Sequence, residues 1–287
     1  MGTTIRSATT TPAPWNAFAD VDAFVDAVLA ELAAMAAAHT RRNGRPPKEP
    51  LAGADLRKAI MAIWCVAFCG MQWRAIGRLC GIPFATLFTL FARWTRLGLW
   101  RRLLARLSRA WRRACGDTPM PSAVVIDSRT CRSAPTCFAR GVDGGKRIRG
   151  IKLHLAVDKH GLPLALDVSP GNVHDARGIV PVLRQLARQG FGGTALGDLG
   201  YRGRRLASAG TALGITIEAM AGGRGGAFLP QGIRWVVERS FAWLSRYRRL
   251  NTIFERTKPH LIAFVEIAFI SILARRLARL ETQAEAA

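Results

Sequence analysis

Apolar positions Phe18, Val21, Val25, Val28, Leu32 and Met35 recur at alternating steps of three and four, which predicts an amphipathic helix over 16–38. Its stripe can dock on the next domain or form half of a short dimer seam. The Thr-, Ser- and Pro-rich residues 1–14 read as a disordered tail, and 41–50 as an extended basic linker. A Gly44-Arg-Pro turn there can carry Arg45 into a minor groove, or simply lie in solvent. Residues 54–113 read as wholly helical, in segments near 54–69, 72–80, 83–97 and 99–115. The second and third match a helix-turn-helix: Ile76 and Cys80 point inward, Gly77 stands at the crossing, Gly81 makes the turn, and Leu87 and Leu90 return to the core. Thr86, Thr89, Arg93 and Arg96 then face outward as DNA-contact candidates, although a plain helical bundle has the same apolar spacing.

From Pro121 the period changes. Ala-Val-Val-Ile over 123–126 is apolar and β-branched, and predicts a buried central strand with Asp127 at its end. Alternation over 151–157 predicts a second strand, the turn Lys159-His-Gly-Leu-Pro follows, and 164–168 is a third strand, giving an antiparallel hairpin or meander. A helix from Asp175 to about Gln189, a strand over 192–197 ending at Asp198, a helix over 201–210, a strand over 215–219 and helices near 232–250 and 259–280 complete the chain. Three strands followed by alternation give an α/β mixed sheet flanked by helices. This is the element order of the RNase H-like fold, preceded here by an all-helical domain. In that topology the first and fourth strands are neighbours, so Asp127 and Asp198 end close together. The helix after the fifth strand can bring Glu238 to them. The expected division is 1–50 for tail, helix and linker, 51–118 for the helix-turn-helix domain, and 119–287 for the sheet domain.

Charge narrows the function. Lys and Arg number 42 against 19 acidic residues, a net charge of +23, which favours a polyanionic partner and salt-sensitive binding. The six cysteines form no Cys-x-x-Cys or Cys/His set, so they read as reduced cytoplasmic thiols rather than zinc ligands. The apolar runs at 59–69 and 261–274 are too short to span a bilayer, and no apolar run opens the chain. The expectation is a cytoplasmic, nucleoid-associated protein without a membrane partner.

Three carboxylates, Asp127, Asp198 and Glu238, suit a divalent-metal site. Phosphodiester chemistry requires charge to be neutralised at both the attacking and the leaving oxygen, and hard cations prefer carboxylate oxygens. Two Mg2+ ions, or Mn2+ in their place, with Asp127 bridging, meet that need. Each acid also has a bland alternative. Asp127 can cap a strand end, Asp198 can shape a Gly-flanked turn, and Glu238 can pair with Arg234 one turn away. Trp235 and Trp243 read as core, His154 as a sheet-face residue, and Asp175 as the cap of its helix.

The chain resembles bacterial insertion-sequence transposases of the Asp-Asp-Glu type, in the group called insertion-sequence five. The resemblance spans about 41–275 and rests on Gly44-Arg-Pro, Gly70-Met-Gln-Trp, Ile126-Asp-Ser, Leu196-Gly-Asp-Leu-Gly-Tyr-Arg-Gly and Arg234-Trp-Val-Val-Glu-Arg-Ser-Phe-Ala-Trp-Leu. It implies that Asp127, Asp198 and Glu238 are catalytic metal ligands, and that Arg234, Arg239 and Arg246 contact DNA. It further implies double-stranded transposon ends and target DNA as partners, paired in a homo-oligomer. Gln231 and Ser245 depart from the broader signature, which often has Tyr and Lys there; Arg246 or Arg248 can supply the charge. Two other readings share these residues: a non-catalytic DNA-binding protein on the same scaffold, and a metal-dependent nuclease without strand transfer.

Overall fold

Successive apolar side chains of β1 (Ala123–Ser133) enter opposite cores, and that alternation separates the molecule into its layers. Val124 and Ile126 enter one core, Val125 and Cys131 the other. The computed structural model describes residues 19–45, 49–220 and 231–285; the expected tail at 1–14 and the Gly-rich stretch after Met220 lie outside them. β1 runs antiparallel to β3 (Ile148–Val157), which pairs on its far side with β2 (Gly141–Asp143) and β4 (Pro163–Pro170). On its other edge β1 runs parallel to β5 (Thr194–Gly197), which pairs parallel with β6 (Thr216–Ala219). The order is therefore β4-β3-β1-β5-β6 with β3 reversed, the mixed RNase H-like sheet expected from the element order.

The strand carrying Asp127 differs from the expectation. It does not stop at Ile126 but pairs with β3 as far as Arg132, so Asp127 lies within it. The polar half Asp127–Ser133 stays in the sheet because its inward side chains find partners, as described below. The opposite edge of β1 meets β5 only over Ala123–Val125, then β7 (Thr252–Ile253) at Arg132 and Ser133. Among the described residues no strand covers the edge between, and Asp127 lies at the β5 end of that gap.

One face of the sheet packs on α6 (Asp175–Gly178), α7 (Val180–Arg188) and α8 (Arg204–Thr211) through Ile179, Val182, Leu183, Leu186 and Leu206. The other meets α9 (Gln231–Ser245) and α10 (Lys258–Glu285). α9 stops at Ser245, short of the expected 250, and a 3-10 turn at Arg248–Leu250 leads into β7.

The helical region comprises α1 (Ala19–Asn43), α2 (Gly53–Cys69), α3 (Trp73–Cys80), α4 (Phe84–Arg96) and α5 (Leu99–Ala114). α10 runs through the middle of it, buried at Leu261, Phe264, Ile267, Ala268, Phe269 and Leu273, against α1, α2, α4 and α5. A run apolar on every side belongs in a core rather than on a surface. α1 docks there through Val21, Phe24, Val25 and Val28. α3 and α4 meet at 113°, within the range of a helix-turn-helix. Gly77 permits the crossing, since a Cβ there would stand 2.9 Å from the Ile82 carbonyl oxygen. Gly81 turns the chain at φ 74°, a conformation that favours glycine. Arg112 of α5 and Asp158 after β3, both buried, join the helices to the sheet by an ion pair of 2.8 Å. Among the described residues no single helix is long and apolar enough to cross a membrane.

Candidate active site and nucleic-acid surface

Parallel pairing puts Val125 beside Leu196; Asp127 and Asp198 each lie two residues further on, Asp127 within β1 and Asp198 just past the end of β5, so they stand side by side. Asp127 Oδ1 accepts the Ser128 N–H at 2.7 Å. Burial pushes its pKa up to about 6, and the neighbouring Asp198 and Asp175 charges push the same way against the Ser128 N–H and Lys146. Asp198 is exposed, and its Oδ1 accepts the Gly200 N–H at 2.8 Å, capping the 3-10 turn Leu199–Tyr201. Asp198 therefore does shape a Gly-flanked turn, and it also stands next to Asp127. Tyr201 is buried in the core on the Val124 and Ile126 face. Burial, then the charges of Asp127, Asp175 and Asp198, carry its pKa above the usual phenol range.

By alternation Asp127 shares the face of Val125 and Arg129, the face α9 covers. Arg129 donates to the Phe241 carbonyl at 2.9 Å, and Ser240 Oγ donates to the Gly161 carbonyl at 2.7 Å, fixing α9 across β1 and β3. Glu238 lies on the exposed side of α9, next to buried Val237. The structure thus brings Asp127 and Asp198 together. Among the described residues no three His, Cys, Asp or Glu side chains stand close enough to share one ion, so Glu238 is not gathered with them.

The opposite face of β1 holds a second polar cluster. Ser128 faces His154 and Thr130 faces Lys152 across the β1–β3 pair. Lys152 Nζ lies 2.9 Å from Asp175 and 3.0 Å from the Val173 carbonyl oxygen, with Asp143 at 3.8 Å. Ser128 Oγ donates to Asp175 at 2.7 Å, and Thr130 Oγ1 donates to Asp143. Burial alone would raise the Asp175 pKa, but the Ser128 and Lys152 bonds outweigh it and hold it below the ordinary carboxylate value. For Asp143 the Thr130 bond is the main cause of a lowered pKa. His154 is fully buried, bonds Ser169 through Nε2 at 2.8 Å, and is held neutral because burial lowers its pKa to about 4. It is the sheet-face residue expected. Asp175 is not the helix cap: His174 is, its Nδ1 accepting the Ala176 N–H at 3.3 Å. Lys152 and His154, polar residues two apart on one face of a strand whose other face is Ile151, Leu153 and Leu155, are the sequence signal for this cluster.

On the basic side, Arg45 and Arg96 are exposed, Thr86 is half-buried, and Arg93 is tied to Glu49 at 3.0 Å. Arg246 is exposed; the side chain of Arg234 lies outside the described residues. Arg239 is stacked rather than solvated, its guanidinium carbon 4.4 Å from the Trp235 ring centre and 5.0 Å from that of Trp243. Trp235 is not core, being 55% exposed.

Similarity to known proteins agrees with this architecture. The family model described as Transposase DDE domain matches residues 118–217, the stretch that carries Asp127 and Asp198. A relative from Burkholderia cepacia, which bears the name of transposase for insertion sequence element IS402, is 32% identical over 165 residues, covering 54% of this chain and 76% of its own length. With an RNase H-like sheet, two acids side by side at β1 and β5, and this relative, the chain belongs to the insertion-sequence transposases with a DDE domain.

Proposed function

We propose that this transposase, of the insertion-sequence-five group, binds the terminal inverted repeats of its element through the helix-turn-helix and basic surface. It then cuts the DNA and joins the freed ends to a target, with Asp127, Asp198 and Glu238 as the ligands of two Mg2+ ions. The observation that carries this reading is the β1–β5 register, which sets two carboxylates side by side, one of them buried with its pKa raised to about 6. Such a pair suits a hard divalent cation, because bound positive charge relieves both the burial and the mutual repulsion.

When bound, the metal would supply charge neutralisation at the attacking and leaving oxygens. The protein's residues do the rest. Asp127, fixed within a strand and by the Ser128 N–H, gives a rigid ligand. Asp198, held by the Gly200 N–H through one oxygen, keeps the other available. Glu238, on a helix pinned to the sheet, would supply the third carboxylate ligand. No covalent protein intermediate is required, since water or a 3′-hydroxyl can attack the phosphodiester directly. Arg246 and Arg96 add contacts to the DNA backbone, and two DNA ends are held by a homo-oligomer.

The test uses duplexes taken from the DNA flanking the gene. The wild-type protein with Mg2+ cuts them and joins pre-cleaved ends to a plasmid. Asp198→Asn binds the same duplexes but does neither. Unchanged cleavage by that variant rejects the site, and cleavage without joining by the wild type leaves a nuclease.

A further inference from the structure

α4 buries Leu87, Leu90, Phe91 and Trp94 and turns Phe84, Ala85, Phe88 and Thr89 outward. A surface helix ordinarily sets polar or charged side chains on its outer face. Here the outer face of the first two turns is phenyl, methyl and one hydroxyl, with Phe84 44% and Phe88 40% exposed. Neither ring is loose. Arg74 of α3 lies over Phe84 at 5.4 Å, and Phe88 meets Trp73 edge-on at 5.6 Å and His260 at 5.5 Å. The surroundings are cationic: residues 56–116 include neither Asp nor Glu, and exposed Arg74 and Arg78 stand beside Phe84, with exposed Arg96 further along α4. A rim of one positive sign suits phosphates, and it opposes a second copy of the same face, which carries the same charges. In a helix-turn-helix the first turns of the second helix meet base edges in the major groove. The side chains that read bases there by paired hydrogen bonds are Arg, Lys, Asn and Gln. None of these occurs in residues 84–92, and Arg93 is held by Glu49 at 3.0 Å. What such a strip can match is the one apolar group in that groove, the thymine 5-methyl.

We propose that the outer face of α4, through Phe84, Ala85, Phe88 and Thr89, selects DNA by packing on thymine 5-methyl groups in the major groove. This rests on the reading that the chain binds its DNA through the helix-turn-helix, and names the base feature selected. Binding is measured without divalent metal on duplexes from the DNA flanking the gene, made either with thymidine or with deoxyuridine in its place. The two differ only in the 5-methyl. The wild type binds the deoxyuridine duplex about tenfold more weakly, the loss expected for about two methyl contacts. On an unrelated duplex of equal base composition the same exchange changes little. Phe84→Ala combined with Thr89→Ser removes a ring and a methyl from exposed positions and keeps every arginine. That variant binds both flanking duplexes about as weakly as the wild type binds the deoxyuridine one. Equal wild-type affinity for the two flanking duplexes overturns the proposal. So does an equal loss on the unrelated duplex, or a thymine preference kept in full by the double variant. A variant altered only in self-association also overturns it, and makes the strip a contact between copies. A wild type that shows the thymine preference but never cuts with Mg2+ instead retires the cleavage chemistry proposed above and leaves the readout standing.

Discussion

The two faces of β1 carry acids of the same kind in opposite electrostatic states. Asp143 and Asp175, gathered under one face with Ser128, Thr130 and Lys152, are hydrogen-bonded and paired, and their pKa values are lowered. Asp127, on the other face, has Asp198 for a neighbour and a single backbone N–H for support, and its pKa is raised to about 6. A fold that can supply a lysine and two hydroxyls to one set of carboxylates leaves the other without them, a few ångströms of strand away. Compensated acids hold the sheet together; an uncompensated pair is what a bound cation would relieve.

The contrast can be broken from either side. On the proposed metal site, replacing Asp127 or Asp198 by Asn removes one ligand while keeping the shape, and DNA cleavage should fall by about 10³-fold or more. The same changes on the opposite face should act on stability instead. Lys152→Met leaves Asp175 without its cation and should cost about 3–5 kcal/mol in denaturant unfolding. Asp127→Asn should do the reverse. In metal-free wild type, a folded-state pKa near 6 against 3.8 unfolded means that the folded protein binds the extra proton between those values. Stability therefore falls as pH rises from about 4 to 6, by about 2–3 kcal/mol, and stays lower above. The Asn variant lacks that slope: it should be the more stable protein above pH 6 and match wild type below pH 4 in thermal melts. For Asp143 the sign is opposite, its contribution being present at neutral pH and lost as pH falls through its lowered pKa. Thr130→Val, which removes the hydroxyl bonded to Asp143, should show the smallest effect, about 1–3 kcal/mol at pH 7 and less in acid.

Much of this was legible from residue order. The three-and-four spacing from Phe18 to Met35 marks α1, and Ile76, Gly77, Gly81, Leu87 and Leu90 mark the crossing of α3 and α4. The strand order makes Asp127 and Asp198 neighbours, because first and fourth strands adjoin in this topology. What escaped was whatever depends on partners distant in the chain. Asp127-Ser-Arg-Thr reads as the end of a strand because the acids that satisfy Ser128 and Thr130 come from positions 175 and 143. Two-residue β7 is too short to show a period, and exists because β1 continues far enough to meet it. Trp235 reads as core by composition; its exposure depends on which way α9 turns over the sheet, which Ser240 and Phe241 set by bonding to Gly161 and Arg129. Asp175 reads as a helix cap because its buried partner Lys152 lies on another strand.

The most direct trial of the central claim is Mn2+ binding, followed by electron paramagnetic resonance at pH 7.5 with end-bearing DNA present. The wild type should take up Mn2+, and Asp127→Asn, Asp198→Asn and Glu238→Gln should each weaken that uptake by about tenfold or more. Equal Mn2+ uptake by all four proteins would contradict a metal site built from these three acids.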